Sequence, residues 1–127
     1  MSLNILVVDD SQVMRKVIIR SLRLSGLPLG EVHEAANGEE GLRLLDRHWI
    51  DLALIDINMP VLDGVAMIDR VRADPTTADL SIIVVTSDNS EARSEQLRPK
   101  VAAIVHKPFT PEDLRDTVTR VLGVGNV

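Results

Sequence analysis

The sequence predicts a doubly wound α/β fold in which five parallel strands alternate with five helices. Short apolar runs, typical of strands covered on both faces, alternate along the chain with longer segments of helical periodicity. Each strand and the helix after it make one βα unit, and right-handed crossovers place helices on both faces of one parallel sheet. A chain of 127 residues fits one such domain, so we expect a single domain over residues 1–127.

The strands are predicted from short, unbroken apolar runs. Four such runs are clear, and three of them are rich in Val and Ile, the β-branched residues that favour extended backbone. A fifth, weaker run contains polar residues as well. In chain order, the five predicted strands cover residues 5–8, 32–35, 52–55, 82–85 and 102–105.

Each helix is predicted from a capping residue followed by an apolar stripe. Ser11, Asn37 and Asp63 can cap the first three helices, and one of residues 88–90 can cap the fourth, because their side-chain oxygens accept hydrogen bonds from the first turn. Pro111 suits the first turn of the fifth helix. The expected apolar stripe of the first helix consists of Val13, Val17 and Leu24, with Met14, Ile18 and Leu22 beside it.

Composition excludes several classes of function. The formal net charge of −5 disfavours nonspecific binding to nucleic acid, which needs clustered Lys and Arg. Only Trp49 and Phe109 carry large aromatic rings, too few for stacking on bases or a flavin. The sequence has no Cys, which excludes disulfides and thiolate chemistry. With neither a signal peptide nor an apolar run of membrane length, we expect a cytoplasmic protein that binds neither membrane nor nucleic acid.

Polar residues follow four of the predicted strands at the point where each strand ends. The carboxyl ends of parallel strands meet at one edge of the sheet, and ligands of doubly wound folds bind there. We therefore expect three carboxylates, two hydroxyls and one ammonium group to share one crevice. They are Asp9 and Asp10 after the first strand, Asp56 after the third, Thr86 and Ser87 after the fourth, and Lys107 just past the fifth.

This set of groups favours phosphoryl-transfer chemistry. Three neighbouring carboxylates repel one another and need compensating positive charge, of which Lys107 supplies one unit. Mg²⁺ prefers oxygen ligands and commonly takes one or two carboxylates together with phosphate oxygens. An Asp side chain can act as a nucleophile and hold a phosphoryl group as an acyl phosphate. The sequence therefore predicts Mg²⁺ as the cofactor of an Asp-based phosphoryl acceptor.

Four motifs give the chain a resemblance to a known family. They are Val-Asp-Asp-Ser at 8–11, Asp-Ile-Asn-Met-Pro-Val-Leu-Asp-Gly at 56–64, Val-Thr-Ser at 85–87 and Lys-Pro-Phe at 107–109. In this order and spacing they resemble the receiver domains of bacterial two-component response regulators, and residues 11–15 are most similar to the CheY-like members. The resemblance implies a flavodoxin-like sheet of five βα units with strand order 2-1-3-4-5.

The resemblance also implies a role for each site residue. Asp56 is the implied phosphoacceptor, while Thr86 and Lys107 are the implied contacts of the phosphoryl oxygens. Ser87 fits a position that is usually small, which lets the phosphodonor approach. The implied ligands of Mg²⁺ are Asp9, Asp10, Asp56 and the backbone carbonyl of Asn58.

Further positions bear on how such a switch works. Family members usually carry Tyr, Phe or His three residues before the site lysine, where this chain has Ile104. We therefore expect Thr86 to carry the switch without the usual aromatic partner. Asn58 and Asp88 each lie two residues after a site residue, and we expect them to flank the attacking water and tune dephosphorylation. The Lys107–Pro108 peptide is expected to be cis.

The three His residues are interpreted as unrelated to this chemistry. His33, His48 and His106 have no ligand spacing in the sequence, so we expect neither metal binding nor phosphohistidine formation. His106 is assigned instead to a partner face. The mixed charges of residues 91–98 fit a solvated helix surface and a docking face equally well.

The leading hypothesis is a phosphorylation-dependent signalling switch and not an enzyme with a separate substrate. A sensor histidine kinase or a histidine phosphotransfer protein would donate the phosphoryl group to Asp56. An unidentified downstream protein would bind the fourth helix, fifth strand and fifth helix of a monomer or weak homodimer. Two alternatives remain open, a receiver excised from a larger regulator or hybrid kinase, and a phosphorylation-independent interaction domain.

Two other classes fit the residues less well. A haloacid-dehalogenase-like phosphatase has a second Asp two residues after its nucleophile, where this chain has Asn58. A flavodoxin-like cofactor binder needs Ser, Thr and Gly in its first loop, where Asp9 and Asp10 would repel a phosphate.

Overall fold

The five strands form one parallel sheet with the order β2-β1-β3-β4-β5. The computed structural model describes residues 2–123, so residue 1 and residues 124–127 of the expected domain lie outside the described part. Both the α/β class and the strand order expected from the sequence are confirmed. The strands are β1 (Leu3–Val8), β2 (Leu29–Ala35), β3 (Leu52–Ile55), β4 (Ser81–Thr86) and β5 (Ala103–His106).

The helices follow the strands in strict alternation. Ser11, Asn37 and Asp63 cap the first three helices as predicted, and Ser90 caps the fourth. Pro111 stands in the first turn of the fifth helix, whose N-cap is Thr110. The helices are α1 (Gln12–Leu24), α2 (Gly38–Arg47), α3 (Gly64–Ala73), α4 (Glu91–Leu97) and α5 (Pro111–Leu122), and a 3₁₀ turn at Arg98–Lys100 follows α4.

The sheet separates two apolar cores. One core lies between the sheet and helices α1 and α5, and the other lies between the sheet and helices α2, α3 and α4. Alternate residues of each inner strand enter opposite cores, which is why these strands are apolar without interruption. In β1, for example, Ile5 and Val7 face the first core, while Leu6 and Val8 face the second.

The expected stripe of α1 is wrong in part. Ile18 and Leu22 are buried as the inner face, but Val13 is 74% exposed and Leu24 is 66% exposed. The helix is apolar around more than half of its circumference, and the sheet and α5 cover only the side that carries Ile18 and Leu22. Periodicity identified the helix but did not determine which of its two neighbouring apolar rows faces inward.

Within residues 2–123, no helix is both long and apolar enough to cross a membrane.

Candidate functional site

Backbone pairing continues past the strand ends and places the site residues side by side. The Asp56 N–H donates to the Val8 carbonyl at 2.9 Å, just before Asp9. The Lys107 N–H donates to the Thr86 carbonyl at 2.8 Å. These hydrogen bonds extend the parallel ladder at its carboxyl edge, so the predicted convergence of these residues is confirmed.

Three carboxylates meet at this edge. Oxygens of Asp9, Asp10 and Asp56 lie within 4.8 Å of one another. Asp9 is 1% exposed and Asp56 is 8% exposed, whereas Asp10 is open to solvent. The Asp9 Oδ1 atom accepts a hydrogen bond of 2.9 Å from the Ser11 N–H at the start of α1. The donor set consists of oxygen atoms alone, which fits Mg²⁺ better than a softer metal.

Lys107 lies between two of these carboxylates. Its Nζ atom is 2.9 Å from Asp9 Oδ2 and 3.4 Å from Asp56 Oδ2. The Lys107 side chain is only 14% exposed, so water screens these contacts weakly. The other oxygen of Asp56, Oδ1, accepts a hydrogen bond of 2.7 Å from the N–H of Ile57. One oxygen of Asp56 is thus held by the backbone, and the other faces an ammonium group.

Thr86 closes the site on the β4 side. The residue is 1% exposed, and its hydroxyl oxygen accepts a hydrogen bond of 3.1 Å from the N–H of Asp88. The Asp88 side chain in turn accepts a hydrogen bond of 2.8 Å from the N–H of Ser90, the N-cap residue of α4. A short hydrogen-bonded path therefore joins the site to the start of α4. Ser87, the residue next to Thr86, is exposed.

The loop after Asp56 requires a glycine at its end. The Gly64 N–H donates to the Ile57 carbonyl at 2.8 Å, which folds the loop back onto the strand end. A Cβ atom on Gly64 would lie 2.2 Å from the Asp56 carbonyl oxygen, closer than any real contact. Val61, within the loop, has a left-handed backbone with φ of 68°. The Asp-Gly pair at 63–64 therefore positions the loop and caps α3.

The structure also locates the other predicted positions. Asn58 is exposed in the loop after Asp56, and Asp88 is half-buried in the loop after β4. The Lys107–Pro108 peptide is cis, as predicted. Ile104 is half-buried and packs against the core between the sheet and α4.

Sequence reasoning missed a residue beside the site. The Arg15 Nη1 atom donates to the Asp9 carbonyl at 2.7 Å, and its Nε atom donates to Glu34 at 3.0 Å. Arg15 therefore ties α1 to both the site loop and β2. Its position one turn after Ser11 was a usable signal, because a residue in the first two turns of that helix lies close to the strand end.

The interpretation of the His residues was incomplete. Sequence spacing indicated no ligand set, but the rings of His33 and His48 stack with centroids 4.0 Å apart. Glu31 joins them in a cluster of potential ligand atoms. Fifteen positions separate the two His residues, so only the packing of α2 on β2 brings them together.

The fold and site together define a phosphoryl-accepting α/β domain, and comparison with known proteins agrees. A model of the response regulator receiver domain matches residues 5–119. A chemotaxis protein CheY homolog of Campylobacter jejuni is 35% identical, with 98% of this chain and 95% of that protein covered. Chemotaxis protein CheY1 of Helicobacter pylori strain J99 is 36% identical, with 98% of this chain and 100% of that protein covered.

Solved structures give the same result. The chemotaxis response regulator CheY4 of Vibrio cholerae has a TM-score of 0.84 at 30% identity, covering 95% of this chain and 99% of that one. The receiver domain of sensor histidine kinase PA1611 of Pseudomonas aeruginosa, which holds a magnesium ion in its active site cleft, has a TM-score of 0.85 at 29% identity, covering 98% of this chain and 100% of that one. The chain belongs to the response regulator receiver family, and the family's general role of accepting a phosphoryl group in two-component signalling applies to it.

Proposed function

We propose that the chain is a phosphorylation-dependent switch in which Asp56 accepts a phosphoryl group from a phosphohistidine. The observation that carries this proposal is the meeting of Asp9, Asp10 and Asp56 with the Lys107 ammonium at the carboxyl edge of the sheet. Of the three carboxylates, Asp56 alone ends the central strand β3. Like Asp9, it has one oxygen held by a backbone N–H and the other near Lys107, so its place at the end of β3 is what distinguishes it.

In the proposed reaction, Asp56 Oδ2 attacks the phosphorus atom of the donor. The new bond joins carboxylate oxygen to phosphorus, and the bond from phosphorus to the donor nitrogen breaks, with its electron pair leaving on the imidazole. Lys107 would turn from the carboxylates to the incoming phosphoryl oxygens, where a positive charge stabilises the transition state. The Thr86 hydroxyl would donate a hydrogen bond to a phosphoryl oxygen while it accepts the hydrogen bond from the Asp88 N–H. The exposed, small Ser87 leaves room for the donor.

Mg²⁺ is the proposed cofactor of this site. Its proposed ligands are Asp9, Asp10, Asp56 and the backbone carbonyl of Asn58. The oxygen-only donor set supports this choice, as does the magnesium ion held by the related receiver of Pseudomonas aeruginosa. When bound, the metal would neutralise negative charge on the carboxylates and on the phosphoryl group.

The proposed output surface is the face formed by α4, β5 and α5. The path from Thr86 through Asp88 to Ser90 supports this choice, because it connects the phosphoryl position with the start of α4. Ile104 is apolar and half-buried beside α4, so we propose that Thr86 and the loop after it carry the change. Residues 1–127 would act as one receiver unit that binds a histidine kinase or histidine phosphotransfer protein and a downstream protein.

Acetyl phosphate with Mg²⁺ tests the assignment of Asp56. We expect one phosphoryl group per chain by intact mass, and no label on Asp56→Asn, because the amide cannot act as the nucleophile. Asp46→Asn, which changes an exposed carboxylate of α2, is the matched control and should be labelled like the wild type. Full labelling of Asp56→Asn would refute this assignment.

A further inference from the structure

A second cluster of metal-ligating side chains lies away from the carboxylate site. Glu31, His33 and His48 each offer a ligand atom, and these atoms lie within 4.8 Å of one another. We propose that this cluster is a second metal site, which binds a borderline transition-metal dication such as Zn²⁺. The inference is independent of the proposed phosphoryl chemistry, since it uses none of the residues of that site.

The fold brings these three residues together by strand alternation. Residues 31, 33 and 35 of β2 point to one face of the sheet, and Ala35 marks that face as the side covered by α2 and α3. The intervening Glu34 points to the opposite side and pairs with Arg15 and Lys16 of α1. Glu31 and His33 are therefore neighbours on the face of the sheet that carries α2, with Glu31 at its exposed margin.

His48 reaches the same place from the end of α2. It is the C-cap residue of that helix, and its N–H donates to the Leu44 carbonyl at 3.0 Å, which holds its backbone. Helix α2 runs back from the carboxyl edge of the sheet, so its last residues lie at the end opposite Asp56. The second cluster is thus separate from the carboxylate site.

The distances suit chelation. His33 Nε2 lies 3.0 Å from Glu31 Oε1. Two adjacent ligands of one Zn²⁺ ion lie about 3.3–3.6 Å apart, given metal–ligand bonds of about 2.0–2.2 Å in a tetrahedral arrangement. The potential ligand atoms all lie within 4.8 Å of one another. The rings of His33 and His48 stack with centroids 4.0 Å apart, so the His48 ring must rotate out of the stack before both imidazoles can bind one ion.

The chemistry of the donors selects the type of metal. Two imidazole nitrogens and one carboxylate suit Zn²⁺, Cu²⁺ and Ni²⁺, whereas Mg²⁺ requires oxygen ligands. His33 is 20% exposed and Glu31 is 67% exposed, so the cluster is reachable from solvent while part of it is sheltered. The chain would therefore hold an oxygen site for Mg²⁺ at one end and a nitrogen-rich site for a transition metal at the other.

Calorimetric titration of the untagged chain with Zn²⁺, in excess Mg²⁺, tests the proposal. We expect one Zn²⁺ ion to bind, and His33→Gln and His48→Gln to weaken its affinity by at least about 10-fold, since loss of even an outer-shell partner of a metal costs about 10–100-fold. His106→Gln, which changes the exposed histidine of β5, and Asp56→Asn should bind like the wild type. Equal affinity in both cluster variants, or loss of binding in Asp56→Asn, would overturn the proposal.

A second measurement separates ligation from folding defects. The chain has three His residues, so their ring proton signals can be assigned by single substitutions. Addition of Zn²⁺ should shift the ring protons of His33 and His48 together and leave those of His106 in place. The exposed Glu31→Gln should also weaken binding while its amide spectrum stays native. Joint movement of all three His signals, or of none, would contradict a site at this cluster.

Discussion

At the scale of single residues, the position of Lys107 sets the resting state of the site. Its ammonium group is shared between Asp9 and Asp56, at 2.9 and 3.4 Å. A phosphoryl group on Asp56 would compete with Asp9 for the same ammonium. Lys107 therefore links the acceptor to the acidic pair, and its partners would change when phosphate arrives.

The lifetime of the phosphorylated state is expected to depend on Asn58. Its polar, exposed side chain follows the acceptor by two residues and can hydrogen-bond the attacking water. Loss of one hydrogen bond, about 0.5–1.5 kcal/mol, should slow the decay of Asn58→Met by roughly 2- to 13-fold. Phosphoryl decay can be followed by intact mass after rapid removal of acetyl phosphate.

Asp88 is the second residue expected to tune this lifetime, but its side chain also accepts a hydrogen bond from Ser90. Asp88→Leu should slow decay as well, at some cost to the start of α4, so Asn58→Met is the cleaner variant. If both variants are phosphorylated normally and lose the phosphoryl group at the wild-type rate, Asn58 and Asp88 serve only to shape their loops.

At the scale of elements, α1 is held against β2 by a cluster of opposite charges. Glu34 of β2 contacts Lys16 at 2.6 Å and Arg15 at 3.0 Å. The hydrogen bond from Lys16, followed by that from Arg15, holds the pKa of Glu34 below its usual range, although burial acts in the opposite direction. Because Arg15 also binds the Asp9 carbonyl, this cluster supports the carboxylate site.

The lowered pKa of Glu34 predicts a pH-dependent contribution to stability. A carboxyl group with a lowered pKa stabilises the fold fully above its unfolded pKa of about 4.3, and this contribution is lost as the pH falls through its folded pKa. Glu34→Gln should therefore cost about 0.2–1 kcal/mol of unfolding free energy at pH 7, and the difference from wild type should shrink by pH 3. Urea unfolding at both pH values measures it.

Glu39→Gln is the matched control for this experiment, because its exposed pair with Arg43 is 3.6 Å long. At pH 7, Glu39→Gln should lower the free energy of unfolding by less than Glu34→Gln does. If Glu34→Gln lowers the free energy of unfolding equally at pH 7 and pH 3, the charge of the Glu34 carboxylate does not contribute to stability.

Helix α4 is the element expected to report phosphorylation. It has seven residues, begins at the Ser90 cap and lies beside Ile104. Because Thr86 connects to Ser90 through Asp88, beryllium fluoride with Mg²⁺ should shift amide signals along residues 91–98 as well as in the loop after Asp56. An amide-shift map tests this expectation. Shifts confined to the Asp56 loop would argue against the proposed output surface.

At the scale of the whole molecule, one sheet edge concentrates negative charge while both cores stabilise the fold. Asp9 and Asp56 share the Lys107 ammonium and the carboxylate of Asp10 lies beside them, so among residues 2–123 the negative charge of this cluster exceeds the positive charge in contact with it. The apolar burial in the two cores, one on each face of the sheet, stabilises the fold and offsets the repulsion between these carboxylates.

Mg²⁺ is therefore expected to stabilise the whole domain. Binding to the folded state alone adds about 2.7 kcal/mol at a concentration 100-fold above the dissociation constant. Binding should be weak, because few of the metal's ligands are carboxylates and several are waters.

Thermal unfolding at increasing MgCl₂ and constant ionic strength tests this expectation. The unfolding midpoint should rise with the Mg²⁺ concentration, and Asp10→Ala should reduce this rise. Asp46→Ala, on the exposed surface of α2, should respond like the wild type. Equal responses of Asp10→Ala and wild type would place the metal elsewhere.

Much of this molecule follows from patterns that are local in the chain. Apolar runs and caps such as Asn37 and Asp63 predict the elements, because each reflects hydrogen bonding or burial within a few residues. The carboxylate site is also predictable, since strand ends in a parallel sheet must meet at one edge. The positions of Asp9, Asp56 and Lys107 therefore follow once the strands are assigned.

Only the tertiary structure decided which surfaces meet at long range. The stacking of His33 on His48 depends on the angle at which α2 crosses β2, and the exposure of Val13 depends on how α1 is rotated against the sheet. Arg15 of α1 meets Glu34 of β2 for the same reason. These contacts arise from the packing of whole elements against one another, and no pattern within a single helix or strand specifies that packing. The strand ends, by contrast, must meet because a parallel sheet brings them to one edge.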